Sequence, residues 1–84
     1  MPPYRIEWGN EARADVRRLD RGIAMQIFDA VLRFSRTGSG DVRPLLGDLA
    51  DYFRIRTGDY RILFKLEGDR MSITGVRHRS QAYR

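Results

Sequence analysis

Strict alternation of apolar and polar residues marks the second half of the chain. Over Tyr52–Thr57, Phe53, Ile55 and Thr57 fall on one side and Arg54 and Arg56 on the other. Over Asp59–Leu66, Tyr60, Ile62, Phe64 and Leu66 oppose Arg61, Leu63 and Lys65. A period of two is the signature of strands with one buried face. In a third run, Met71–Val76, Met71 and Ile73 share parity and Val76 breaks it, which predicts a bulge near Gly75. Gly58-Asp59 and Glu67-Gly68-Asp69 separate the runs, and such residues suit tight hairpins. Connections this short allow only antiparallel neighbours. The stretch therefore reads as a three-strand meander with one apolar and one cationic face.

The first half supplies what covers the apolar face. Tyr4–Trp8 alternates and predicts a further strand joining the meander. Asn10 is a suitable N-cap, with Glu11 in the first turn, and Ala12, Val16 and Leu19 follow at helical spacing. Asp20 caps a second helix whose apolar rows are Ile23, Ile27, Val31 and Ala24, Phe28, Leu32, ended by Thr37-Gly38-Ser39-Gly40. Asp41–Asp51 reads as a connector anchored by Pro44, Leu45, Leu46 and Leu49. The predicted fold is α+β, in the order β-α-α-β-β-β. A two-helix hairpin packs on one face of a four-stranded, mainly antiparallel sheet, and residues 1–84 form a single domain.

Charge changes this picture. Residues 1–51 carry eight Arg and eight acids, whereas residues 52–84 carry seven Arg and Lys65 against three acids, so the whole +5 lies on the sheet and tail. A local positive field draws polyanions and acidic partners, and fifteen of the sixteen basic residues are Arg, whose planar fork suits phosphate. The chain has no Cys and one His, which leaves no thiolate site and no expected metal or cofactor. No apolar run approaches the length of a membrane span, so a cytoplasmic protein without membrane contact is expected.

Candidate chemistry gathers on Arg54, Arg56, Arg61, Arg77, His78, Arg79 and Tyr83. Cleaving RNA by 2′-hydroxyl attack requires a base, stabilisation of a negative phosphorane and an acid for the leaving 5′-oxygen. Arginine suits the phosphorane and is a poor base. Proton transfer therefore falls to His78, the side chain whose ordinary titration lies nearest neutrality, and to Tyr83. Bland readings stand beside these: a solvated face for Arg54 and Arg56, a structural pairing of Arg61 with Asp59 or Asp51, a solvated His78 and a frayed Tyr83. Ser80, two residues from His78, is a weak nucleophile–base signal.

The segment YFRIRTGDYRILF and the ending VRHRSQAYR, together with the element order, resemble the RelE/ParE toxin superfamily over nearly the whole chain. The resemblance to RelE-type members implies a ribosome-dependent endoribonuclease that cuts messenger RNA. Resemblance to ParE-type members implies a DNA gyrase inhibitor without nuclease activity. A third possibility is a nucleic-acid-binding module whose activity has decayed. The family implies neutralisation by an acidic antitoxin in a hetero-oligomer. Carried over by position, Arg61, Arg77 and Tyr83 match catalytic positions. Arg54 and Arg56 match a basic pair that is typically lysine, and His78 takes over proton transfer. Lys65 and Arg79 complete the expected RNA-binding surface. The C-terminal helix of some members has no counterpart after Tyr83.

Overall fold

A computed structural model describes residues 2–45 and 51–81. Seven elements follow one another: β1 (Arg5–Trp8), α1 (Asn10–Arg17), α2 (Arg21–Thr37), β2 (Asp41–Pro44), β3 (Tyr52–Thr57), β4 (Tyr60–Glu67) and β5 (Arg70–His78). They form one sheet in the order β1-β5-β4-β3-β2. The meander is as expected, with β3, β4 and β5 antiparallel in sequence. Gly58 and Gly68 take φ values of 57° and 60° at the first position of each two-residue turn, the conformation in which a glycine matches hairpin twist.

Two expectations about the sheet are corrected. It has five strands, because Asp41–Pro44 pairs antiparallel with β3 where a connector was expected. It is also mixed, since β1 runs parallel to β5. Intervening helices let a strand return in either direction, unlike a two-residue turn. β2 carries one inward apolar residue, Val42, opposite Ile55. That is too little for a periodic signal, and the strand forms because the edge of β3 offers backbone partners. Pro44 sits at its end, where a missing N–H is tolerated on an edge strand.

The helices lie on the face predicted for them. Ile27, Val31 and Phe34 of α2 and Ala12 of α1 are buried with Ile55, Ile62, Phe64, Met71, Ile73 and Val76. Phe34 and Phe53 both pack on Phe64, with ring centroids 5.1 and 5.7 Å away. The second apolar row of α2 departs from expectation: Phe28 and Leu32, with Met25, are 42%, 41% and 53% exposed. The core row turns through Phe34 instead, leaving Phe28 on the flank against Trp8. The N-cap position of α1 also shifts by one residue, to Gly9, while Asp20 stands at that of α2 without a side-chain capping bond, and Gly38 ends α2 in the left-handed region. No helix among the described residues is long and apolar enough to cross a membrane.

The bulge places the site. Leu63 pairs with Gly75 and Phe64 with Ile73, so Thr74 is the extra residue, and its hydroxyl donates to the Leu63 carbonyl at 3.2 Å. That shift keeps Met71, Ile73 and Val76 all in the core and sends Arg77 to the open face and His78 to the helix side.

The β4–β5 turn allows a clean test of backbone strain. A Cβ on Gly68 would meet nothing within 4 Å, so its only cost is the positive φ. Gly68→Ala should lower stability by about 1 kcal/mol, read as a shift in urea midpoint. An unchanged midpoint would mean that the turn relaxes freely.

Candidate active site

Strand register lines up charges across the open face. Asp41, Arg56, Arg61 and Arg77 stand opposite one another across β2, β3, β4 and β5. The adjacent row is Arg43, Arg54, Leu63 and Gly75. Neighbouring strands are about 4.8 Å apart, and like charges directly opposite repel. Each arginine resolves this differently.

Arg56 is exposed and pairs with Asp41 at 3.5 Å. Arg77 is drawn off the row to an ion pair with Asp15. Arg61 remains between them, 7% exposed. Its Nη1 donates to the Tyr60 carbonyl at 3.1 Å and to that of Gly58 at 3.4 Å. Neither acceptor carries a formal charge. Arg61 Nε and the Nη1 of Arg54 are buried without a hydrogen-bond partner among the described residues. The structural pairing of Arg61 with Asp59 or Asp51 does not occur among the described residues, where Asp59 lies instead 3.8 Å from Arg79.

Buried polar atoms are nearly always satisfied, and a buried charge without a counter-ion costs several kcal/mol. Two such N–H groups on neighbouring strands could donate to an anion. A phosphate would supply both the missing charge and the missing acceptors.

The other candidates are spread around this centre. Lys65 shares the face but lies four residues along β4 from Arg61, about 13 Å away, where its amine meets Glu67 at 3.5 Å and the Tyr52 ring. Arg79 is exposed beyond the end of β5. Tyr83 lies outside the described residues. His78 sits on the opposite pleat from Arg61 and Arg77, edge-on to Tyr60 with centroids 5.3 Å apart. Its Nδ1 is engaged by Ser80, whose Oγ is 2.9 Å away and whose backbone N–H donates to it at 3.2 Å. Nε2 is thus the nitrogen left to exchange a proton with a ligand. The Ser80–His78 contact is part of a local turn, and no third group orients it as a nucleophile would require. A cavity of about 390 Å³ opens beneath His78, lined also by Asp15, Leu19, Tyr60, Arg77 and Gln81.

Asp15 is missed by sequence reasoning, in which Gly75 figures only as a bulge position and Tyr60 only as part of the apolar face. Asp15 touches Val76 and Arg77 across 61 and 62 positions, a separation that carries no local pattern. Among the described residues, no three His, Asp or Glu side chains converge as a metal site needs.

Comparison with known proteins agrees with this architecture. Toxin RelG of Mycobacterium tuberculosis (strain ATCC 25618 / H37Rv) is 29% identical over 85 residues, covering 98% of each chain. In the crystal structure of the toxin–antitoxin complex RelBE2 of Mycobacterium tuberculosis, one chain superposes with a TM-score of 0.80 at 29% identity, covering 90% of this chain and 98% of that one. The archaeal RelE–RelB complex of Pyrococcus horikoshii OT3 matches with a TM-score of 0.77 at 19% identity, covering 95% and 99%, and so shares the fold. The family model of the ParE toxin of type II toxin–antitoxin systems (parDE) matches residues 6–83. The chain belongs to that toxin family, within the RelE/ParE superfamily.

Proposed function

We propose that this toxin is an endoribonuclease that cuts messenger RNA on the ribosome through attack of a 2′-hydroxyl on the adjacent phosphodiester. The observation that carries the reading is the pair of buried guanidinium N–H groups, Arg54 Nη1 and Arg61 Nε, that have no hydrogen-bond partner among the described residues. They bind a phosphate, and Arg61 holds the charge that grows on its oxygens in the phosphorane. Arg56, Lys65 and Arg79 hold flanking phosphates. Arg77 stabilises the phosphorane from the rim of β5, His78 exchanges the proton through Nε2, and Tyr83 orients the nucleotide. The similarity to Toxin RelG and RelBE2 supports the RelE-type reading over gyrase inhibition.

The test is cleavage of a defined messenger with and without translating ribosomes, run beside gyrase supercoiling. Cutting confined to the ribosomal reaction is expected. A protein that blocks supercoiling and cuts no RNA overturns the nuclease reading in favour of a ParE-type activity.

An acidic antitoxin neutralises the toxin by covering two surfaces: the cationic open face and the exposed strip of Met25, Phe28 and Leu32 on α2. Charge steers the encounter, so the association rate falls with salt, whereas the apolar strip governs dissociation. Phe28→Asp should weaken antitoxin binding about tenfold or more, measured by binding kinetics alongside the thermal midpoint. Parent-like dissociation from a folded variant would exclude the strip from the interface.

A further inference from the structure

Arg77 is built into the molecule differently from its neighbours in the row. Its side chain folds back over Gly75 and around the edge of β5 to Asp15 of α1. Nη1 donates to Asp15 Oδ2 and to the Val76 carbonyl, the latter at 3.2 Å. The same Asp15 oxygen accepts the Val76 backbone N–H at 2.9 Å. The second carboxylate oxygen accepts Arg18 Nη2 at 3.1 Å. β1 pairs with β5 only as far as Ile73, so Asp15 takes over the strand edge beyond that point. It can do so because Ala12, three residues earlier and on the same side of α1, is buried in the core.

Gly75 completes the arrangement. Its φ is not positive, so the fold uses the space above it and not its backbone freedom. An added Cβ would lie 2.9 Å from Arg77 Nη1 and 3.3 Å from Cζ, closer than ordinary contact. With Nη1 committed to Asp15 and Val76, Arg77 Nε and Nη2 make no hydrogen bond among the described residues; the Glu11 carboxylate lies 3.9 Å from Nη2. These two groups form the guanidinium edge that binds an oxyanion with two parallel hydrogen bonds.

We propose that Asp15 is the positioning residue for Arg77, holding its Nη1 across the Gly75 saddle so that Nε and Nη2 face the scissile phosphate. The role in cleavage rests on the nuclease reading; the pairing itself does not. The carboxylate orients the cation in advance, which removes the cost of ordering a long side chain during the reaction.

Two variants separate this from simple edge-capping. Asp15→Asn keeps an oxygen for the Val76 N–H and removes the charge. Gly75→Ala keeps every charge and displaces the guanidinium, and it serves where Asp15→Asn fails to fold. In ¹⁵N-resolved spectra of the full chain, Arg77 should show slow guanidinium rotation in the parent and fast rotation in either folded variant. In single-turnover cleavage on programmed ribosomes, each variant should lose about 10- to 100-fold in rate, with little change in binding. Neither should cost anything further in an Arg77→Ala background. A loss from Asp15→Asn that persists in that background makes Asp15 a structural cap and overturns the proposal. Unchanged Arg77 rotation in the folded variants overturns it as well. A parent that cuts no RNA defeats the nuclease reading and with it the role assigned to Asp15 in cleavage; the spectra then decide the pairing alone.

Discussion

Replacing Arg61 with Met should make the free protein more stable and the proposed RNA cleavage about 10²–10³-fold slower. The two effects share one cause. Arg61 is 7% exposed and, among the described residues, its Nε has no partner and its hydrogen bonds end on neutral backbone carbonyls. Methionine fills a similar volume with no charge to desolvate. The Gly58 and Tyr60 carbonyls lose a donor, which costs about 1 kcal/mol each at most. The Gly58 contact is already long at 3.4 Å, so its share is small. Removing a poorly compensated buried charge commonly stabilises by about 1–4 kcal/mol, and this is the larger effect. In cleavage the balance reverses, because the phosphorane supplies the counter-charge that the free protein lacks. Chemical denaturation and single-turnover cleavage on ribosomes measure the two halves. A variant that is less stable than the parent would show that Arg61 serves the fold. A variant that cleaves at the parent rate would remove it from the chemistry.

His78→Ala should lose about 10²–10⁴-fold in single-turnover rate, the usual worth of general acid–base help, with little change in RNA or ribosome binding. The geometry narrows how the residue works. Nδ1 is occupied by the Ser80 hydroxyl and backbone N–H, which leaves Nε2 for the proposed proton transfer. His78 pairs across the strands with Tyr60, while Arg61 pairs with Arg77 one residue away on the opposite pleat. His78 and the arginine row therefore lie on opposite faces of the sheet, and the proposed chemistry requires a substrate that reaches around its end. The parent's pH–rate profile should contain a limb that His78→Gln removes. Parent-like cleavage by His78→Gln would leave proton transfer to Tyr83 or to the RNA. Ser80→Ala should act more mildly, since the backbone N–H of Ser80 still holds Nδ1.

Local pattern determined much of this protein. The alternation in Tyr52–Thr57 and Asp59–Leu66 specified which side chains meet the helices. Both glycine–aspartate turns specified the meander, and the break before Val76 pointed to a bulge that the structure places at Thr74. Arg54, Arg56 and Arg61 were assigned to the open face because period-two geometry leaves no other choice. Pairings between distant residues were decided only in three dimensions. Asp41–Pro44 becomes a strand through the free edge of β3, not through its own composition. The sequence places acids near Arg61 at Asp59 and Asp51, yet packing leaves that guanidinium without a carboxylate partner among the described residues and gives Arg77 the carboxylate of Asp15, 62 positions away. The Thr74 bulge likewise decides that Arg77 joins the open face and His78 the helix side. Periodicity is a property of neighbours along the chain. Counter-ions, strand edges and burial depend on which elements meet, and only the folded chain settles which charges are neutralised and which remain open to a ligand.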